Sequence, residues 1–188
     1  MDQEKNYTIE IFCSYHKYAS LNIGADALDF CVEPFERLDV RVRAEDGRAI
    51  GDLQGFLITH DNVSAVGGYF AAIDSGDNHI FRTMRALLDA GISSKELEKD
   101  QADVCVTVLW VDSKYDKGSI EKMLVKHLPE MVAYKTGLKT RFAATATIGG
   151  REEELCISAG KAGWEKIQVS NKDGSASSVF YLDCTKEP

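Results

Sequence analysis

Residues 104–128 read VCVTVLWV, then DSKYDKGS, then IEKMLVKHL. The first eight, Val104–Val111, are an apolar run rich in β-branched residues. A run of that length fits a strand covered on both faces better than a helix. Asp112–Ser119 is a polar loop, after which Ile120, Met123, Leu124 and Leu128 recur at helical spacing, with Pro129 expected to end or kink the helix. A strand that turns through a short loop into a helix makes an anion site: the first helical N–H groups lack intrahelical partners, and the helix dipole adds partial positive charge. Gly118 lets an anion approach the backbone, and Lys114 and Lys117 add charge. The competing reading is structural, since many strand–loop–helix corners carry a Gly and a Lys without binding anything.

Upstream, Leu38, Val40, Val42 and Ala44 alternate with Asp39, Arg41, Arg43 and Glu45, which gives a strand with one buried and one wet face. Glu45-Asp46-Gly47-Arg48 is a hairpin turn, because Asp-Gly tolerates the positive φ such turns need. Ile50–Thr59 is the returning strand, and Val63–Ile73, with Gly67-Gly68 inside it, reads as a third. Tyr7–Tyr15 suggests a further strand nearer the N-terminus, and 22–29 a short helix or a loop. The period then changes: Ile80, Met84, Leu87 and Leu88 mark a helix behind the cap-forming string Asp74-Ser75-Gly76-Asp77-Asn78, and Gly91 closes it. Downstream, Phe142–Ile148 is a strand, 152–162 a helix, and Ile167–Val169 with Val179–Leu182 a terminal hairpin. Three antiparallel strands followed by alternating helices and strands predict an α+β chain with a mixed, mostly antiparallel twisted sheet flanked by helices.

The chain has 188 residues, enough for one domain with a proper core, and no interior linker divides it. Its net charge of −8 argues against a nonspecific nucleic-acid binder. No apolar run approaches a membrane span, and 1–6 carries no signal-peptide core, so a cytoplasmic protein with neither nucleic-acid nor membrane partner is expected. The five cysteines, 13, 31, 105, 156 and 184, form no CxxC pair and mostly sit in apolar strings, as free thiols of a reduced compartment do. His16, His60, His79 and His127 are scattered, and no metal-binding cluster is expected.

The string Val111–Leu124, VDSKYDKGSIEKML, resembles motif A of the GNAT acetyltransferase superfamily, in which a strand ends in a V-(D/N)-P-x-Y-like string and a glycine loop opens a helix with a paired Leu. Gly163-Trp164-Glu165 resembles the G-F-(E/K) of that family, and Gly68-Tyr69-Phe70 with Ile73-Asp74-Ser75 resembles a subgroup with a helix inserted before the fourth strand. The resemblance covers about 38–182 and sets 1–37 apart as an N-terminal extension to a single domain, 1–188. It implies a GNAT fold with splayed central strands, acetyl-CoA as co-substrate, and transfer of an acetyl group to an amine of a small molecule or a protein. Trp110 and Val111 would pair with the pantetheine; the amides of Lys117, Gly118, Ser119 and Ile120 would hold the pyrophosphate. The acceptor would enter between Val104–Val111 and Phe142–Ile148.

The chain departs from the family at three places. The loop's Arg or Gln position holds Tyr115 or Asp116, its second small residue is Ile120, and the general-acid Tyr position holds Ala159. An acid beside a pyrophosphate is repelled. The alternative reading is therefore a GNAT-fold binding or regulatory module without acetyl-CoA turnover. Asp74 and Asp112 are the candidate catalytic bases, with a helix cap and a turn acid as their structural alternatives. Trp110 either lines the cleft or belongs to the core. Pairing through the terminal strands would give a homodimer.

Overall fold

The computed structural model describes residues 8–15, 36–60, 79–94, 96–145, 152–170 and 174–186. Its strands are β1 (Thr8–Tyr15), β2 (Glu36–Arg43), β3 (Ala49–Thr59), β4 (Gln101–Val111), β5 (Lys139–Thr145), β6 (Glu165–Ser170) and β7 (Ala176–Asp183). The helices are α1 (His79–Asp89), α2 (Lys117–Lys126), α3 (Leu128–Thr136) and α4 (Glu152–Lys161). The strands form one mixed sheet in the order β1-β2-β3-β4-β5-β7-β6. β4 and β5 are parallel and every other described pair is antiparallel.

The period-two strand behaves as its pattern requires. Leu38, Val40 and Val42 are fully buried, while Arg37 meets Asp39 at 3.0 Å and Arg41 meets Asp52 at 4.0 Å on the wet face. Gly47 takes φ +79° in the β2–β3 turn. One core layer joins Leu53, Val104, Val106 and Val111 to Ile120, Leu124 and Val125 of α2, Leu128 and Val132 of α3, and Leu155 and Ala159 of α4. The other joins Phe56, Ile58, Cys105, Phe142 and Ala144 to Ala86 and Leu87 of α1. Helices thus cover both faces of the central strands, which is why β4 and β5 read as apolar throughout.

The strand expected over Tyr7–Tyr15 is β1, which pairs with β2 from Thr8–Arg43 to Tyr15–Glu36 as an edge strand of the same sheet. Two expectations change. First, Pro129 does more than end a helix. It stands in the first turn of α3, where its missing N–H costs nothing, and α3 runs on to a left-handed Gly137. Second, coverage of Val104–Val111 is interrupted after Val106, because Thr107–Leu109 are half-buried and Trp110 is 49% exposed, before Val111 is buried again. The strand predicted over Val63–Ile73, the segment 22–29 and the continuation of β5 to Ile148 lie outside the described residues. No helix among the described residues is long and apolar enough to cross a membrane.

Candidate active site

The change in β4 from buried to exposed has a local cause. Gln54 pairs with Val108 and Gly55 with Val106, so Thr107 is an extra residue, a β-bulge facing β3. Its Oγ1 donates to the Gln54 carbonyl at 3.3 Å. Gly55 makes this possible: a Cβ there would lie 2.8 Å from the Cys105 carbonyl oxygen. The apolar octet contains no glycine or proline to announce a bulge. The available sign was Gly55 in mid-strand on the partner.

Beyond the bulge, β4 carries the chain to α2. The Asp112 amide donates to the Ile50 carbonyl at 2.8 Å, toward β3. Peptide groups alternate edges along a strand, so those of Val111 and Leu109 face the β5 side, while that of Trp110 faces β3. The described β4–β5 pairing runs from Gln101–Lys139 to Val106–Thr145. The expected splay concerns the residues after Thr145, which lie outside the described ones.

In the loop, Asp112 Oδ1 accepts from the Lys114 amide at 3.0 Å, an Asx turn that gives this carboxylate a structural task. Tyr115 packs against the core and its hydroxyl accepts from Arg48 Nη2 at 2.7 Å. Asp116 is the N-cap of α2: its carboxylate accepts from the Ser119 amide at 3.3 Å and from Ser119 Oγ at 2.8 Å. The side chain of Ile120 is turned into the core and its amide donates to the Asp116 carbonyl at 3.1 Å. The Ser119 and Ile120 amides are therefore not open donors for a phosphate. Gly118 remains exposed, with open space where a Cβ would stand. Lys117 Nζ lies 3.7 Å from Glu121 Oε1.

Of the expected site residues, Trp110, Gly118 and Ser119 are exposed, Lys117 is half-buried, Val111 and Ile120 lie in the core, and Asp112 shapes the loop between β4 and α2. Asp74 lies outside the described residues. Ala159, at the general-acid position, is fully buried.

One polar contact escaped the pattern. Glu121 is 6% exposed, and its Oε2 accepts from Ser158 Oγ of α4 at 2.8 Å while Oε1 has no hydrogen-bond partner. The sign was an acid among Ile120, Leu124 and Val125 on the buried side of α2. This bond joins α2 to α4. Among the described residues no three His, Cys, Asp or Glu side chains gather to hold a metal ion.

No protein-family model and no curated protein matches the chain. Solved structures do. Arabidopsis thaliana NAA60 in complex with acetyl-CoA is similar over 95% of this chain and 100% of its own, with a TM-score of 0.51 and 10% identity. A Drosophila melanogaster polyamine N-acetyltransferase is similar over 77% of this chain and 74% of its own, with a TM-score of 0.48 and 12% identity. The first likeness shows the fold: this is the mixed GNAT sheet with its flanking helices.

Proposed function

We propose that this GNAT-fold chain is an acetyl-CoA-dependent N-acetyltransferase acting on an amine of a small molecule or a protein. The observation that carries the reading is the bulge at Thr107, from which β4 is half-buried or exposed as far as Trp110 before the chain turns into an exposed helix start at Gly118. The similar NAA60 structure was solved with acetyl-CoA, which agrees with it. Gly118 leaves its backbone open to a ligand, and the edge of β4 turns the peptide groups of Leu109 and Val111 toward β5. Acetyl-CoA supplies a thioester that an amine can attack without a covalent enzyme intermediate. The chain's part is then to bind and orient, with the β4 edge aligning an extended ligand as an added strand and Lys117 and the Gly118 amide facing its anionic end. Asp112 is the candidate carboxylate at the strand end for accepting the amine's proton, directly or through water.

Asp116 favours a second reading. Its carboxylate takes the Ser119 amide for itself and sets a negative charge where a pyrophosphate would lie. With Ala159 in place of an acid, this describes a binding or regulatory module that has lost turnover. Calorimetric titration with acetyl-CoA separates the two. Saturable binding that Gly118→Trp abolishes supports the transferase, and a Cβ at Gly118 would meet nothing within 4 Å. Absence of heat at millimolar ligand leaves the module.

A further inference from the structure

We propose that Arg48 is a positioning residue for the co-substrate: from the β2–β3 turn it holds Tyr115, and through Tyr115 it fixes the loop that presents Gly118 to the ligand. The inference rests on the reading of the β4–α2 corner as the acetyl-CoA site and adds to it a residue from a different part of the sheet.

The bonds that shape the loop are local. Asp112 Oδ1 accepts from the Lys114 amide, the Asp112 carbonyl accepts from the Tyr115 amide at 3.0 Å, and the Asp116 carboxylate accepts from Ser119. Bonds of this kind fold a loop upon itself without fixing where it sits on the sheet. The bond from Arg48 is of another kind, since it joins residues 67 apart in the chain. Nη2 donates to the Tyr115 hydroxyl at 2.7 Å, a charge-assisted bond, while the ring packs against the core. Asp46, the ion-pair partner of Arg48, stands at 3.8 Å, beyond hydrogen-bond distance, so the short bond of this guanidinium goes to the phenol. Tyr115 lies three residues before Gly118, close enough for its placement to set that of the exposed helix start.

Arg48 has a firm footing. Its amide donates to Asp46 Oδ1 at 3.0 Å, and its carbonyl accepts from the Ala44 amide at 3.0 Å. Arg43 donates to the Gly47 carbonyl at 2.8 Å and to Glu10 of β1 at 2.7 Å. The edge strand, the turn and the loop are thereby joined in one line of contacts. The Arg48 side chain is 54% exposed, and an exposed polar contact adds little to global stability. Its effect is local: freeing the loop lowers the share of molecules whose corner is ready for ligand, and the apparent affinity falls by the same share.

The test is calorimetric titration of the full chain with acetyl-CoA in Tyr115→Phe, Arg48→Gln and the double variant. Loss of one such bond should weaken binding about fivefold in each single variant. The double variant should be no more than about twofold weaker than either, because all three lose the same bond. Without ligand, amide hydrogen exchange at 113–119 should quicken about fivefold in both single variants and stay as in the parent at 102–106. An affinity that only one single variant weakens overturns the proposal, as does unchanged exchange at 113–119. So do losses that multiply in the double variant, which make Arg48 a direct charge contact of the ligand. Binding by the parent that neither substitution weakens overturns this inference alone. A parent chain that takes no acetyl-CoA overturns the reading of the corner, and this inference with it.

Discussion

At the scale of single residues, two side chains set the terms of the candidate site. Gly55 is there because of what faces it. Any Cβ meets the Cys105 carbonyl at 2.8 Å and the Val106 Cα at 3.4 Å, both backbone atoms that move only if the strands part. Gly55→Ala should therefore cost about 1–3 kcal/mol by urea unfolding, the range for a forced backbone shift. Because it strikes the bulge, it should also weaken any ligand that uses the outer half of β4. Asp116 separates capping from charge. Asp116→Ala removes the cap of α2 and should cost about 1 kcal/mol of stability. Asp116→Asn keeps a good cap and removes the charge. A carboxylate about 4 Å from a phosphate in water opposes it by about 1 kcal/mol, so the Asn variant should bind acetyl-CoA about fivefold tighter in calorimetry. An unchanged affinity would place the diphosphate away from this helix start.

At the scale of elements, much of the order was legible from periodicity. Both helical stripes and the alternation in β2 belong to segments whose two sides meet different surroundings, and that difference writes itself into the residue types. The misses have the same physics in reverse. The octet VCVTVLWV is apolar along its whole length, so nothing in it marks where coverage ends after Val106, and Trp110 looks like core although half of it meets solvent. Leu128-Pro129 looks like an ending because proline breaks a helix interior, yet the same ring suits a first turn. The buried ion pair under α1 was not legible at all, since Asp103 and Arg141 lie far apart in the chain. Arg141 holds Asp103 through Nε at 3.0 Å and Nη2 at 2.7 Å, and it also donates to the carbonyls of Ser94 and Glu96. It thereby ties the connector after α1 to the β4–β5 pair. Burial pushes the Asp103 carboxyl upward from its ordinary range, and the Arg141 guanidinium opposes that shift. Arg141→Met removes the opposition and leaves a buried carboxylate alone, which should cost about 3–5 kcal/mol near neutral pH. The sign with pH follows. A carboxyl whose folded pKa is raised contributes most below its unfolded value, near 3.9, and loses that contribution as pH rises toward the folded one. The gap between Arg141→Met and the parent should thus narrow in acid, read as urea midpoints from pH 4 to 7. Adding Asp103→Leu should recover only part of the loss, because the carbonyls of Ser94 and Glu96 stay without their donor.

At the scale of the whole molecule, the sheet divides the work. Its N-terminal strands β1–β3 are a scaffold sealed on one side by the layer that includes Leu38, Val40 and Val42, whereas at β4–β5 the pairing changes from antiparallel to parallel and the chain leaves the sheet for α2. A co-substrate bound there would bridge elements from both halves and be felt in global unfolding. A ligand that binds only the folded chain at a hundred times its dissociation constant stabilises by about 2.7 kcal/mol. For a chain of this length that corresponds to a rise in Tm of roughly 5–10 °C. Acetyl-CoA should produce that rise in the parent protein, more at equal concentration in Asp116→Asn, and none in Gly118→Trp. If acetyl-CoA leaves Tm unmoved in every variant, the domain has kept its fold without the transferase chemistry, and the module is the right description.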